Sequence, residues 1–208
     1  VRRIRAHFGG TVNDVLLAVV AGALREWFGA RGHAVDGLRL RALIPVSRRA
    51  RSGGRAGGNE LSGYLCELPV DEPDPSRRLR TVQAAMLQSK AAGTTRGPGA
   101  IPLLAARLPP ALHRVVAPVA GQVASLLFDI LVTSVPMPGT PLRLDGAELT
   151  EIFPIAPLAP GHALGVALSC YRETAFIGLH ADRAALPDVQ DLAEALTMSV
   201  ATLDRVCA

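Results

Sequence analysis

The sequence predicts an α+β fold, a two-layer α/β sandwich in which a mixed β-sheet is flanked by helices. Three observations carry this. An apolar content of 49% against 19% charged residues, over 208 residues, describes a globular chain with a large core. Short β-prone runs bounded by Pro and Gly are interspersed with longer stretches of helical period. The resulting order, α-β-β-α-α-β-β-β-β-α, lacks the strict alternation of a parallel α/β fold and so points to a mixed sheet.

The first helix is placed over 11–28 and ends near Gly29 and Gly32. From Val15 to Leu24 it is apolar or glycine without interruption, so it must be buried on every side. A strand over 38–46 follows, with Leu38, Leu40, Ala42 and Ile44 on one side and Arg39 and Arg41 on the other. Residues 47–59 are too rich in Arg and Gly to be helical or packed and read as a loop, and 61–70 is a second strand. Asp74 followed by Pro75 is a strong helix start, and that helix continues through Leu79, Val82, Ala85 and Met86 to about Ala92. Residues 93–99 form a loop, followed by Pro-punctuated helical segments to about 128. The short apolar run 129–135 is a buried strand, after which the chain turns sharply through Pro136, Pro138 and Pro141. Three further strands are placed over 142–153, 163–171 and 175–181. A closing helix starts at Pro187 and Asp188 and turns Val189, Leu192, Leu196 and Val200 inward. No repeat of solenoid-like period is present.

Composition narrows the class of partner. The net charge is +4, and Lys90 is the one lysine among 22 basic residues. Arginine suits bidentate binding of phosphate or carboxylate, while an Arg-, Ala- and Pro-rich composition equally follows from GC-rich coding. Aromatics amount to 4% and do not alternate with the basic runs, so no nucleic-acid partner is expected. Cys66, Cys170 and Cys207 are an odd number without metal-like spacing, which indicates neither a disulfide framework nor zinc. Reduced thiols in a cytoplasm are the expectation. The basic start has no apolar run behind it to make a signal peptide, and without an initiator Met the chain is expected to begin inside a longer product. The best uncharged run, 115–128, is 14 residues long and contains Pro118, against about 20 needed to span a bilayer. Peripheral membrane contact stays open.

Gly-x-Ser-x-Gly, Walker and His-Glu-x-x-His signatures are absent. His7, His33, His113, His162 and His180 are scattered, and surface or capping roles account for them. The glycines around His162 lead into a strand, not a helix, and so make no phosphate cradle. Thr11-Val12-Asn13-Asp14 is the informative segment. Thr-x-x-Asp is the acidic variant of a capping box, which explains Thr11 and Asp14 for about 1 kcal/mol. It leaves Asn13 over, because a buried amide needs partners of its own.

Thr11 to Ala18 closely resembles the Asn-Asp motif of the bacterial wax ester synthase/diacylglycerol acyltransferase (WS/DGAT) family, within the CoA-dependent acyltransferase superfamily. Other segments agree in order: Leu43 to Arg49, Gly58-Asn59, Leu68 to Pro75, Thr133 to Pro138, Gly161 to Asp182, and Pro187-Asp188. The similarity covers essentially all of 1–208, and it is to the C-terminal lobe of such an enzyme. It implies one lobe of a chloramphenicol-acetyltransferase-like fold, with the reaction tunnel between lobes. The His-His-x-x-x-Asp motif, whose second His is the general base, belongs to the N-terminal lobe in that scheme and is not found in this chain.

The resemblance implies transfer of a fatty acyl group from acyl-CoA to diacylglycerol or a long-chain alcohol, with acyl-CoA as co-substrate and no cofactor or metal. Acyl transfer develops an oxyanion that needs fixed donors in a dry site. Thr133 and Ser134, at the end of a buried strand, are candidate donors by position, and Asn13 and Asp14 would orient groups at the lobe interface. Arg48 and Arg49, with Arg51 and Arg55, are candidates for the CoA phosphates, the alternative being a solvated loop. Pro136 and Gly139 join the substrate-binding set. The Pro-broken region 101–128 either wraps the acyl chain or packs as ordinary helices.

The partners implied are the N-terminal lobe, acyl-CoA, a lipid alcohol, and peripheral contact with a membrane or lipid droplet. The chain alone is expected to be inactive. The competing reading is a non-catalytic lipid- or partner-binding module derived from the family. Ser134 replaces the family's usual Asn, Met137 its Gly, Cys170 a Ser and Glu173 a Gly. Met137 is tolerable only where φ is not positive.

Overall fold

The computed structural model describes residues 1–47, 61–92, 127–158 and 161–207. Their elements, in chain order, are α1 (Arg2–Phe8), α2 (Val12–Ala30), β1 (Arg39–Ser47), β2 (Leu61–Pro69), α3 (Pro75–Ala92), β3 (Ile130–Pro136), β4 (Arg143–Leu144), β5 (Ala147–Glu148), β6 (Leu164–Tyr171), β7 (Thr174–Ala181) and α4 (Val189–Arg205). Among the described residues the expected elements are present with ends shifted by one or two residues, apart from two differences, while most of the loop expected over 47–59, the loop over 93–99 and nearly all of the helical segments expected up to about 128 lie outside them. Helix α1 was not expected. It holds by tertiary contacts: Ile4 is fully buried, Arg2 pairs with Glu173, and Arg3 Nε donates to Asp204 at 2.8 Å.

The second difference is the expected strand over 142–153. The chain instead makes the two-residue strands β4 and β5, joined by Asp145 (φ 48) and Gly146 (φ 80), then runs on irregularly. An Asp-Gly pair with both φ positive is a favoured hairpin connection. Beyond it the chain lies across the sheet and is held by side chains from β6 and β7. Ser169 Oγ donates to the Ile152 carbonyl at 2.9 Å, and His180 Nδ1 lies 2.8 Å from the Ala156 carbonyl. Gly178 is required there, because a Cβ would overlap the Pro154 carbonyl.

Strands β2-β1-β3-β6-β7, in that order, form one mixed sheet. β1 pairs antiparallel with β2 along its whole length, and β6 with β7 as a hairpin. β3 is parallel to both β1 and β6. Its register with β1 covers only Ala42↔Ile130 and Leu43↔Leu131, so the two parallel strands part toward their C-terminal ends. At the joined end the Asp129 N–H donates to the Arg41 carbonyl at 2.8 Å, and the Arg41 N–H and guanidinium bind the Asp129 carboxylate at 2.7 and 3.0 Å.

Period-two alternation decides what each sheet face buries. Ala42, Ile44, Cys66, Leu68, Ile130, Val132, Val166 and Leu168 meet the helices in one core. Helices α2, α3 and α4 lie together on this face, with α2 between the other two. That explains its apolar circumference: every residue from Asp14 to Leu24 is buried. Gly22 marks the closest approach, where a Cβ would overlap Arg78 Nη1 and Ser199 Oγ. The other face, carrying Ala167, Ser169, Tyr171 and Phe176, is covered by the irregular segment after β5.

Candidate functional site

Helix α2 begins at the end of the sheet where β1, β3 and β6 finish. Val12 and Val15, in its first turns, line a small void with Leu168 of β6 and Ala175 of β7. Toward its other end, Arg25 Nη1 donates to the Val70 and Asp71 carbonyls beyond the C-terminus of β2, at 3.2 and 2.8 Å. Asn13 and Asp14 therefore stand at the same end of the molecule as Thr133, Ser134 and Pro136.

The capping box exists as read from sequence. The Asp14 N–H donates to Thr11 Oγ1 at 3.2 Å, and Asp14 Oδ2 accepts from the Thr11 N–H at 2.7 Å. This uses only half of the carboxylate. Asp14 is 4% exposed, and its Oδ1 is buried without a hydrogen-bond partner. Such an acceptor costs roughly 1–3 kcal/mol when unsatisfied and more when charged. Asn13 beside it is half-buried, and its amide bonds to none of the described residues.

Three neighbours of Asp14 were not singled out from sequence. Gln83 Nε2, on α3, donates to the Gly9 carbonyl at 3.2 Å and ties α3 to the corner before α2. Gly10 has φ 81, and a Cβ there would fall 2.6 Å from Gln83 Nε2 and 2.9 Å from Asp14 Oδ2. The doublet Gly9-Gly10 directly before the cap was the available signal. Cys66, across on β2, is buried, and burial first, then the Asp14 charge, pushes its thiol up to about 12. It stays protonated and inert.

Register separates Thr133 from Ser134. Thr133 lies opposite Ala167 and Ser134 opposite Leu168, so their side chains point to opposite faces. Ser134 shares the helix-facing side with α2, and Thr133 shares the side covered after β5. The structure thus brings Ser134 to the same side as Asn13 and Asp14 but does not bring both hydroxyls there. Pro136, paired in register with Cys170, is exposed at the strand end, and Gly139 is exposed in the turn beyond. Arg48 and Arg49, with Arg51 and Arg55, lie outside the described residues, as does 101–126 of the Pro-broken region.

The unusual residues fit their backbone. Met137 does not have positive φ, so no glycine is needed there. In the β6–β7 turn the positive φ belongs to Arg172 (φ 53) and not to Glu173. Arg172 pairs with Glu148, and Tyr171 Oη accepts from the Leu142 N–H at 2.7 Å, which fastens the β4–β5 hairpin to this end of the sheet. Among the described residues no cluster of three or more His, Cys, Asp or Glu is placed to hold a metal. No single helix among them is long and apolar enough to cross a membrane. What gathers at this end is a helix N-terminus, a half-used carboxylate, an amide and a hydroxyl beside two diverging strands. Such groups can orient and donate to a reacting centre. Among the described residues, His162 Nε2 and His180 Nδ1 lie 3.0 and 2.8 Å from the Phe128 and Ala156 carbonyls, away from this group.

A sequence model of the WS/DGAT C-terminal domain matches residues 57–204. The chain is 30% identical over 210 residues to the probable diacylglycerol O-acyltransferase tgs1 of Mycobacterium tuberculosis CDC 1551, an alignment covering 98% of the chain and 44% of that protein. Among solved structures it resembles the wax ester synthase/diacylglycerol acyltransferase from Marinobacter aquaeolei VT8, with TM-score 0.74 and 25% identity, covering 100% of this chain and 47% of that one. It also shares a fold with the first condensation domain of the CDA synthetase, at TM-score 0.56 and 18% identity, over 100% of this chain and 42% of that one. The chain spans about half the length of the relatives it matches.

Proposed function

The chain belongs to the WS/DGAT family, in the position of its C-terminal domain, and on that premise we propose that it is the C-terminal lobe of an O-acyltransferase. The parent moves a fatty acyl group from acyl-CoA to diacylglycerol or a long-chain alcohol, with acyl-CoA as co-substrate and no metal or cofactor. The N-terminal lobe of the same enzyme is the partner that fits this domain. In the reaction, the acceptor hydroxyl attacks the thioester carbonyl while a base on that lobe takes its proton. The CoA thiolate then leaves and is reprotonated.

The observation that carries this reading is the gathering of Asn13, Asp14 and Ser134 at one end of the sheet, beside the strand ends of β1 and β3. Ser134 and the Asn13 amide are the donors this lobe offers toward developing charge, and the open oxygen of Asp14 holds a donor brought by the facing lobe. Thr133, on the opposite face, supports the strand. Pro136 and Gly139 border the substrate path, and Arg48 and Arg49 take the CoA phosphates. The setting is cytoplasmic, with the enzyme resting peripherally on a membrane or lipid droplet to reach its acceptor.

The experiment is to express the full-length coding sequence and supply palmitoyl-CoA with dioleoylglycerol or hexadecanol. Triacylglycerol or wax ester is expected, and Asn13→Ala should lower kcat by about tenfold or more, a smaller effect than removing a principal oxyanion donor. Absence of both products from folded protein would dispose of the acyltransferase reading. Full activity in Asn13→Ala would remove that residue from the site.

A further inference from the structure

Away from the capping box, between α4 and the edge strand β7, runs a groove of about 510 Å³. Ala175, Ile177 and Leu179 line it from the strand, and Ala193, Leu196 and Val200 from the helix. Protein layers normally close to crystal-like density, so an opening of this size reflects the small alanines at facing positions. A second void of about 110 Å³ lies under the first turns of α2 and shares the walls Ala175, Ile177 and Val200. The two adjoin at these walls, and a shift of the Val200 side chain would join them into one apolar path. That path would run from Val12, the residue before Asn13 in sequence, past Val200 and into the wider groove between helix and strand.

The chemistry of the walls selects the occupant. Only Thr197 and Asp204 are polar along the groove, and both are engaged: Thr197 Oγ1 donates to the Ala193 carbonyl at 3.1 Å, and Arg3 binds the Asp204 carboxylate. A peptide strand lying there would leave its N–H and C=O groups unpaired in an apolar channel, at a cost of about 1–3 kcal/mol each. A helix, about 10 Å across, cannot follow the path past Val200 into the smaller void. A flexible hydrocarbon can do both.

We propose that this path holds the hydrocarbon tail of the fatty acyl substrate, with Val200 as the partition that sets how far the tail reaches from the reacting end. The proposal rests on the reading of the chain as an acyltransferase lobe. It makes α4 and β7 the elements that select chain length, while the chemistry stays at the start of α2.

The test uses the full-length protein and a fatty acyl-CoA carrying a diazirine at the tail terminus. Irradiation should label peptides containing 175–179 and 193–200, and excess palmitoyl-CoA, but not CoA, should suppress the label. Label confined to other segments overturns the proposal. In parallel, Ala193→Phe fills the groove from its accessible side, and Val200→Trp blocks the passage. Each should lower kcat/KM for palmitoyl-CoA relative to octanoyl-CoA by roughly tenfold or more. An unchanged chain-length profile in both variants, with melting temperatures near wild type, equally overturns it. Groove labelling in a protein that transfers to no acceptor would uphold the tail site and discard the transfer reaction. Normal transfer with label elsewhere would do the reverse.

Discussion

The two oxygens of Asp14 have unequal lives. Oδ2 closes the capping box, while Oδ1 is buried with nothing to accept. Exchange to Asn separates a capping role from a positioning one, because the amide keeps one acceptor for the Thr11 N–H and places a donor where Oδ1 was. If Oδ1 receives a donor in the assembled enzyme, Asp14→Asn lowers kcat at least about tenfold in the full-length protein. Thr11→Ala, which loses the cap, should instead lower stability in urea by about 1 kcal/mol and leave kcat near wild type. Equal and small kinetic effects from both would reduce Asp14 to a cap. The residue-scale lesson is that spacing revealed the cap, whereas the orphan oxygen follows from burial among elements distant in sequence, which spacing does not report.

Among elements, the short ladder between β1 and β3 depends on the Arg41–Asp129 pair at its joined end. Burial works to raise the Asp129 pKa, but the Arg41 guanidinium, then its N–H and its charge, together hold the carboxyl below its ordinary value. A depressed carboxyl contributes stability that is fully present above the ordinary carboxylate range and is lost as pH falls through the folded value. Asp129→Asn should therefore be less stable than wild type at neutral pH, and the gap should close progressively below about pH 4. A gap independent of pH, in urea unfolding followed by circular dichroism, would refute the ion-pair account. The elements were largely legible because apolar period and Pro-Gly punctuation are local properties: the Asp74-Pro75 start and the buried circumference of α2 are as expected. Helix α1 and the irregular course after β5 were not, since both are held by distant partners such as Glu173, Ser169 and His180. For the same reason the motif order could name Thr133 and Ser134, but only the β3–β6 register could show that they face apart.

At the scale of the molecule, and among the described residues, one layer of helices covers one sheet face and the irregular segment after β5 lies over the other. Ile155 and Phe153 on that segment are 75% and 59% exposed, Leu144 in β4 is 83% exposed and Val135 in β3 is 40% exposed. Large apolar side chains left in solvent favour burial against another surface. The chain on its own should self-associate in sedimentation, and Leu144→Ser combined with Ile155→Ser should shift it toward monomer without changing its melting temperature by more than a few degrees. A monodisperse wild-type monomer would contradict this. The same scale gives the parting of β1 and β3 its meaning. A sheet stitched at Arg41–Asp129 and open beyond Leu43 and Leu131 is mechanically a pair of blades on one pivot, β2-β1 with α3 on one side and β3-β6-β7 with α4 on the other. Helix α2 lies across both like a spring. With no shared ladder beyond Leu43 and Leu131, any force that spreads the tips falls on the Arg41–Asp129 stitch and on α2, the helix packed against both halves.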